Sequence, residues 1–170
     1  DTAACDAQYY GFGNQVYYGR TDSMAMLTAA GIDKVKLVVL AIDDVEESVR
    51  TAMLISQHYP DLPILARARD RMHAYRLMDM GIEVVHRETF LSSLEMARDV
   101  LVGIGFRPDS AEQSVRRFRE YDEKLIVRQQ AIYQDEAELV ASAKEAMREL
   151  EGLFESDARA ARRQPENAKD

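Results

Sequence analysis

The run Lys36-Leu-Val-Val-Leu-Ala-Ile-Asp43 constrains this chain more than any other segment. Its interior is apolar at every position, so it reads as a central parallel strand covered on both faces. Parallel neighbours need crossover connections, usually helical, and the flanking sequence supplies them. Asp44 can cap a helix over Val45–His58, with Val49, Ala52, Met53 and Ser56 on its inner side. Pro60 and Pro63 punctuate a loop, and Ile64–Arg69 reads as the next strand. Asp70 can cap Arg71–Met80, Gly81 ends that helix, and Ile82–Val85 makes a short final strand. Upstream, Gln15–Tyr18 is a strand candidate closed by Gly19. Asp22 or Ser23 can cap Met24–Ala30, which stops at Gly31. Strand and helix alternate over short connections, which predicts a doubly wound α/β sheet.

After Arg87 the pattern changes. Phe90, Leu94, Ala97, Leu101 and Ile104 recur at alternating spacings of four and three, one stripe along a helix. Gly105-Phe106-Arg107-Pro108 breaks it. The stripe serves either a core or a dimer seam. Met96 and Val100 lie outside it, and a helix apolar beyond one stripe has a second face to bury. From Asp109 to about Phe154 good helix formers dominate, and Gly152 is the only glycine. From Ser156 the chain is Ala, Arg, Gln, Glu and Asp with few hydrophobes, which predicts a frayed or disordered tail.

Composition narrows the function. The net charge of −8 and the lack of a Lys/Arg stripe argue against a nucleic-acid partner. Cys5 is the only cysteine, and His58, His73 and His86 are too far apart in sequence to form a metal-ligand motif. No apolar stretch approaches the length of about 18 residues that a membrane span needs. No Gly-x-Ser-x-Gly elbow, Walker loop or metal motif is present, so nothing points to an enzyme. Gly11-Phe12-Gly13 has Val16 where a dinucleotide fingerprint needs glycine, and reads as a turn.

Two strand ends carry the candidate site. Arg67 and Arg69 close an apolar strand and, at a side-chain period of two, point to one face. Two like charges there call for an anion, either a ligand or the carboxylates of Asp70 or Glu88. Asp43 and Asp44 end the neighbouring strand at the same carboxyl edge, where ligands bind in open α/β sheets. They can accept from a ribose hydroxyl or an amine, or can serve as helix cap and dipole partner. Arg87 and Glu88 add a charged pair beyond the last strand.

Val16-Tyr-Tyr-Gly19, Leu40-Ala-Ile-Asp-Asp44, His58-x-Pro60, Ile64-x-Ala-Arg-Ala-Arg-Asp70, Arg87-Glu-Thr-Phe90 and Leu101-x-x-Ile104-Gly105 follow one another in an order that resembles a known family. It is the cytosolic RCK/KTN (TrkA-N type) regulatory domain of Kef-type, glutathione-gated potassium efflux systems. The resemblance covers roughly Asp1 to Leu125. It implies an α/β, Rossmann-like parallel sheet over 1–88 with its first βα unit upstream of Asp1. Dimerisation and C-terminal helices would follow over 89–155, then a disordered tail over 156–170. It implies nucleotide binding (AMP or NAD(H)) at Asp1, Ile42, Asp43 and Asp44, and glutathione or another anion at Arg67, Arg69 and Asp122. Asp122 and Arg20 stand where the family has Asn and Asp. The implied partners are a second copy, a membrane K⁺/H⁺ antiporter domain upstream on the same polypeptide, and an ancillary flavodoxin-like quinone oxidoreductase. The implied location is the cytoplasmic face of the bacterial inner membrane. An NAD(P)-binding oxidoreductase fragment and a structural dimerisation module are the alternative readings.

Overall fold

The structure, a computed structural model, describes residues 9–11 and 14–163. The chain divides into two compact units, residues 1–88 and 89–170.

In the first unit, β1 (Tyr9–Gly11) pairs antiparallel with β2 (Asn14–Val16), in register Gly11↔Asn14. The first strand candidate is therefore corrected: its N-terminal part belongs to a hairpin, not to the parallel sheet. Phe12, Gly13 and Asp1 lie outside the described residues. Helix α1 (Met24–Ala29) and a 3₁₀ turn at Ile32–Lys34 follow, joined through Gly31 at φ +79°. Ser23 stands at the N-cap of α1 without a side-chain cap bond, and the Asp22 carboxylate pairs with Arg20 and Arg50.

The parallel sheet is β3 (Val38–Leu40), β4 (Ile64–Ala68) and β5 (Val84–Arg87), with β4 in the middle. This corrects the expectation for Lys36–Asp43. Only its middle is strand, and among the described residues β3 is an edge, with Val39 67 % exposed. Its apolar sequence is that of a central strand, but ladder partners occupy one side only. The centre falls to β4, whose residues alternate buried and half-buried, with Ile64, Ala66 and Ala68 inward.

Helix α2 (Val45–His58) and helix α3 (Arg71–Met78) make the crossovers. α2 buries Ser48, Val49, Thr51, Ala52 and Ile55, whereas Met53 is exposed. α3 buries His73, Ala74, Tyr75 and Leu77. Gly81 at φ +80° ends α3: its N–H donates to Met78 O, and the Ile82 N–H to Leu77 O. This Schellman closure uses Ile82 as a buried plug, so β5 begins two residues later than the apolar run predicts. Arg87 is consequently inside β5, opposite Ala68.

The second unit is helical: α4 (Phe90–Gly103), α5 (Pro108–Gln130) and α6 (Glu136–Arg163). Gly105 at φ +102° closes α4 in the same manner, with Phe106 N–H on Leu101 O. Pro108 then opens α5 at its first turn, where a missing N–H costs nothing. The helical stretch after Asp109 is two helices rather than one. Asp135 breaks it by accepting from the N–H groups of Ala137 and Glu138, a cap that starts α6. The two helices form a hairpin. Gln129 meets Ser142, the Tyr121 hydroxyl donates to Glu149 at 2.5 Å, and the Phe118 and Phe154 rings stack at 6.4 Å. α6 continues past Ser156 to Arg163, where a disordered tail was expected, because alanine and arginine propagate a helix already started. Residues 164–170 lie outside the described residues.

Candidate functional site

Parallel register brings three strand ends to one edge. Leu40 lies beside Ala66, Arg67 beside His86, and Ala68 beside Arg87. Past these ends the chain continues as Ala41–Asp44, Arg69-Asp70 and Glu88, which collects the charged residues of three segments.

Arg67 is the node of this edge. Its guanidinium donates to Ala41 O at 3.1 Å and to the Asp43 carboxylate, and lies 3.6 Å from Glu88 Oε1. One side chain from the central strand therefore holds both flanking connections. The Asp43 carboxylate is 86 % exposed, so the pair sits in a high-dielectric setting where an ion pair is weak and exchangeable.

Arg69 has a different role. It continues the outward parity of β4 but lies past the strand end and is exposed. Among the described residues its guanidinium has no hydrogen-bond or ion-pair partner. Its backbone N–H donates instead to His73 Nδ1 at 3.2 Å. Asp70, one of the two carboxylates considered as partners for the arginines, caps α3 by accepting from the His73 N–H at 2.8 Å. Asp44 caps α2 in the same way, accepting from Glu47 N–H at 2.7 Å. Ile42, immediately before Asp43, is half-buried. Asp122 belongs to the second unit, on the buried side of α5 with Ala111, Ser114, Leu125 and Gln129.

Three polar clusters were not anticipated. Asp22 accepts from Arg20 at 3.0 Å and from Arg50 at 3.1 Å. Its carboxyl group is held down at about 2 by those two guanidiniums, Arg20 first, against the opposing effect of burial. Glu46 and Arg76 make a bidentate pair at 2.5 and 2.9 Å, and Arg76 lowers the Glu46 carboxyl below its ordinary range. His73 is buried, with Nε2 3.1 Å from Ser48 Oγ, and burial pushes its imidazole below the ordinary histidine value. The third cluster has a sequence signal. Asp70-x-x-His73 is a capping box in which histidine replaces Glu or Gln and reaches back one residue further.

A depression of about 450 Å³ lies at the amino ends of β4 and β5, between Tyr59, Pro63, Met80 and Glu83. In the second unit Phe90, Leu94, Ala97 and Leu101 line an apolar groove of about 210 Å³ together with Val115 and Phe118. The α4 stripe is thus turned toward the chain's own helices, except for Ile104, which the sequence pattern put in the stripe but which stands at the C-cap and faces outward. Met96 and Ile104, each 69 % exposed, and Val100 at 56 % form a separate outward row.

Comparison with known proteins agrees with this architecture. Residues 3–88 match the TrkA-N domain family, and residues 92–169 match the family described as the potassium efflux system KefB C-terminal domain. Among solved structures, the Shewanella denitrificans Kef C-terminal domain in an AMP-bound form aligns at 34 % identity and a TM-score of 0.68. The alignment covers 70 % of this chain and 75 % of that one. Both families are regulatory ion-transport domains, and the chain belongs to the RCK/KTN regulatory domains of Kef-type potassium efflux systems.

Proposed function

We propose that the carboxyl edge of the β3-β4-β5 sheet binds an adenine nucleotide and an anionic effector, and that this occupancy gates potassium efflux. The observation that carries the reading is the unequal state of the two arginines. Arg67 is pre-positioned by Ala41 and Asp43, while Arg69 is exposed and lacks a partner among the described residues. A guanidinium without a carboxylate beside a fixed one suits a ligand bearing a carboxylate or phosphate. Nucleotide binding draws on the AMP-bound relative. Ile42, Asp43 and Asp44 are its contacts in this chain, with Asp43 the ribose acceptor because Asp44 is occupied as a cap.

Glutathione, with its two carboxylates, is the effector proposed for Arg67 and Arg69. Its adducts would act by binding one of two domain arrangements more tightly, since a ligand shifts an equilibrium only through differential affinity. The outward row of Met96 and Val100 on α4 and Ile104 at its C-cap would pair two copies of the domain, and the pair would act on a membrane antiporter domain of the same polypeptide at the cytoplasmic face of the membrane. Calorimetry of the full chain with AMP and with glutathione tests the reading. Arg69→Ala weakens glutathione binding at least about tenfold and leaves folding intact. Equal binding by Arg67→Ala, Arg69→Ala and the parent protein sinks it.

A further inference from the structure

The imidazole of His73 has both nitrogens committed. Arg69 N–H is a donor, so Nδ1 at 3.2 Å must be its acceptor and carry no proton. Nε2 then holds the proton and donates to Ser48 Oγ at 3.1 Å. His73 is 1 % exposed and Ser48 is fully buried, so both bonds are shielded from bulk solvent. Only the neutral tautomer fits. Protonating Nδ1 sets an N–H against the Arg69 N–H, two donors face to face, and the bond that anchors the residue after β4 is lost.

We propose that His73 is a positioning residue for the Arg67/Arg69 edge and makes that edge proton-sensitive: the neutral ring holds the Arg69 backbone in place, and the protonated ring releases it. The charges that bear on the ring come from each side. Asp70 caps its own helix α3, Arg76 lies on that helix, and Glu46 lies on α2. Asp70 and Glu46 favour the protonated ring, while burial and Arg76 oppose it, and burial is the largest effect. β4 contributes Arg69 itself, and β5, also packed on α3, carries exposed His86 and half-buried Arg87. Because Asp43 is held by Arg67, two residues before Arg69, release of the Arg69 backbone acts on the edge where the anion is proposed to bind. The ligand consequence rests on that proposed site, whereas the backbone consequence does not.

The test is a pH titration of the full chain, followed by the Arg69 backbone amide resonance between about pH 8 and about pH 5, without ligand and with AMP. The Arg69 amide is expected to shift with the same midpoint as the His73 ring, below the ordinary histidine range. His73→Asn, whose side-chain oxygen replaces Nδ1 as a non-titrating acceptor, is expected to flatten that response. His86→Gln, which removes the other imidazole of this edge, is expected to leave it unchanged. AMP affinity is expected to fall about tenfold across the transition in the parent protein and to stay level in His73→Asn. An Arg69 amide that stays still while His73 ionises overturns the proposal, as does an unaltered response in His73→Asn. Should His73→Asn not fold, the titration of the parent protein decides alone. Absence of AMP binding at every pH refutes the nucleotide reading instead, and the amide response still decides the role of His73.

Discussion

The Arg67 guanidinium bonds to the Asp43 carboxylate across the β3–β4 boundary, so a residue at the end of one strand fixes the turn that follows its neighbour. With Asp43 86 % exposed, this pair contributes at most about 1 kcal/mol to folding. It is a reversible tether, and an anion at the proposed site would compete with Asp43 for Arg67. Asp43→Ala therefore has opposite effects on two ligands. It removes the proposed ribose acceptor and weakens AMP binding about tenfold. It also frees Arg67 and tightens glutathione binding severalfold. Calorimetry with both ligands measures this, and a change of the same sign for both contradicts the division of labour.

The caps behind the edge hold two helix starts. Asp44→Ala and Asp70→Ala each lose one carboxylate-to-N–H bond at a helix start, at a cost of about 1 kcal/mol apiece. Asn at either position keeps an acceptor and most of the stability. Urea unfolding of the variants distinguishes the cases. Equal loss for Ala and Asn at Asp44 assigns it a role beyond capping.

The caps were legible because a carboxylate before a periodic apolar run has one favoured use. The βα alternation was legible for the same reason: turn residues and apolar runs are local signals. The place of β3 in the sheet was not, because an apolar strand sequence does not say which ladder partners are present. Arg67 and Arg69 could be picked out as a pair, but not told apart. Their difference depends on Asp43, 24 residues away, and on His73, whose reach back to Arg69 is visible only once α3 has folded. Of the two cap candidates for α1, Ser23 holds the N-cap position, and the use of Asp22 as an ion-pair acceptor was not legible because Arg50, one of its guanidinium partners, is distant in sequence. The α4 stripe was read correctly as apolar, while its direction is set by α5 and Phe154, which no local pattern encodes.

Acid stability follows from three groups held below their ordinary values, His73, Glu46 and Asp22. For His73 the unfolded chain binds the proton more readily than the folded one. Its contribution is complete above the ordinary value of 6.5 and is lost as pH falls below it. For Asp22 the contribution is complete above 3.8 and is lost as pH falls toward about 2. The melting temperature against pH is therefore expected to fall in two separate steps. Asp22→Asn diminishes the lower step, to which Glu46 beside Arg76 also contributes, and His73→Asn removes the upper. A single step that survives both substitutions assigns acid sensitivity to other groups.

The two apolar rows of α4 respond differently to substitution. Leu94 is buried against α5, so Leu94→Ala leaves a cavity and costs about 2–5 kcal/mol. Val100 and Ile104 are exposed within one copy, and a charge there changes the stability of that copy by no more than about 0.5 kcal/mol. In a dimer built on this row, the same charge is buried against a hydrophobic partner and becomes expensive. Val100→Glu and Ile104→Glu are therefore expected to halve the mass seen by light scattering while the helical circular dichroism stays level. Leu94→Ala is expected to do the reverse, lowering the melting temperature with the mass retained. An unchanged mass in Val100→Glu and Ile104→Glu moves the interface off this face of α4.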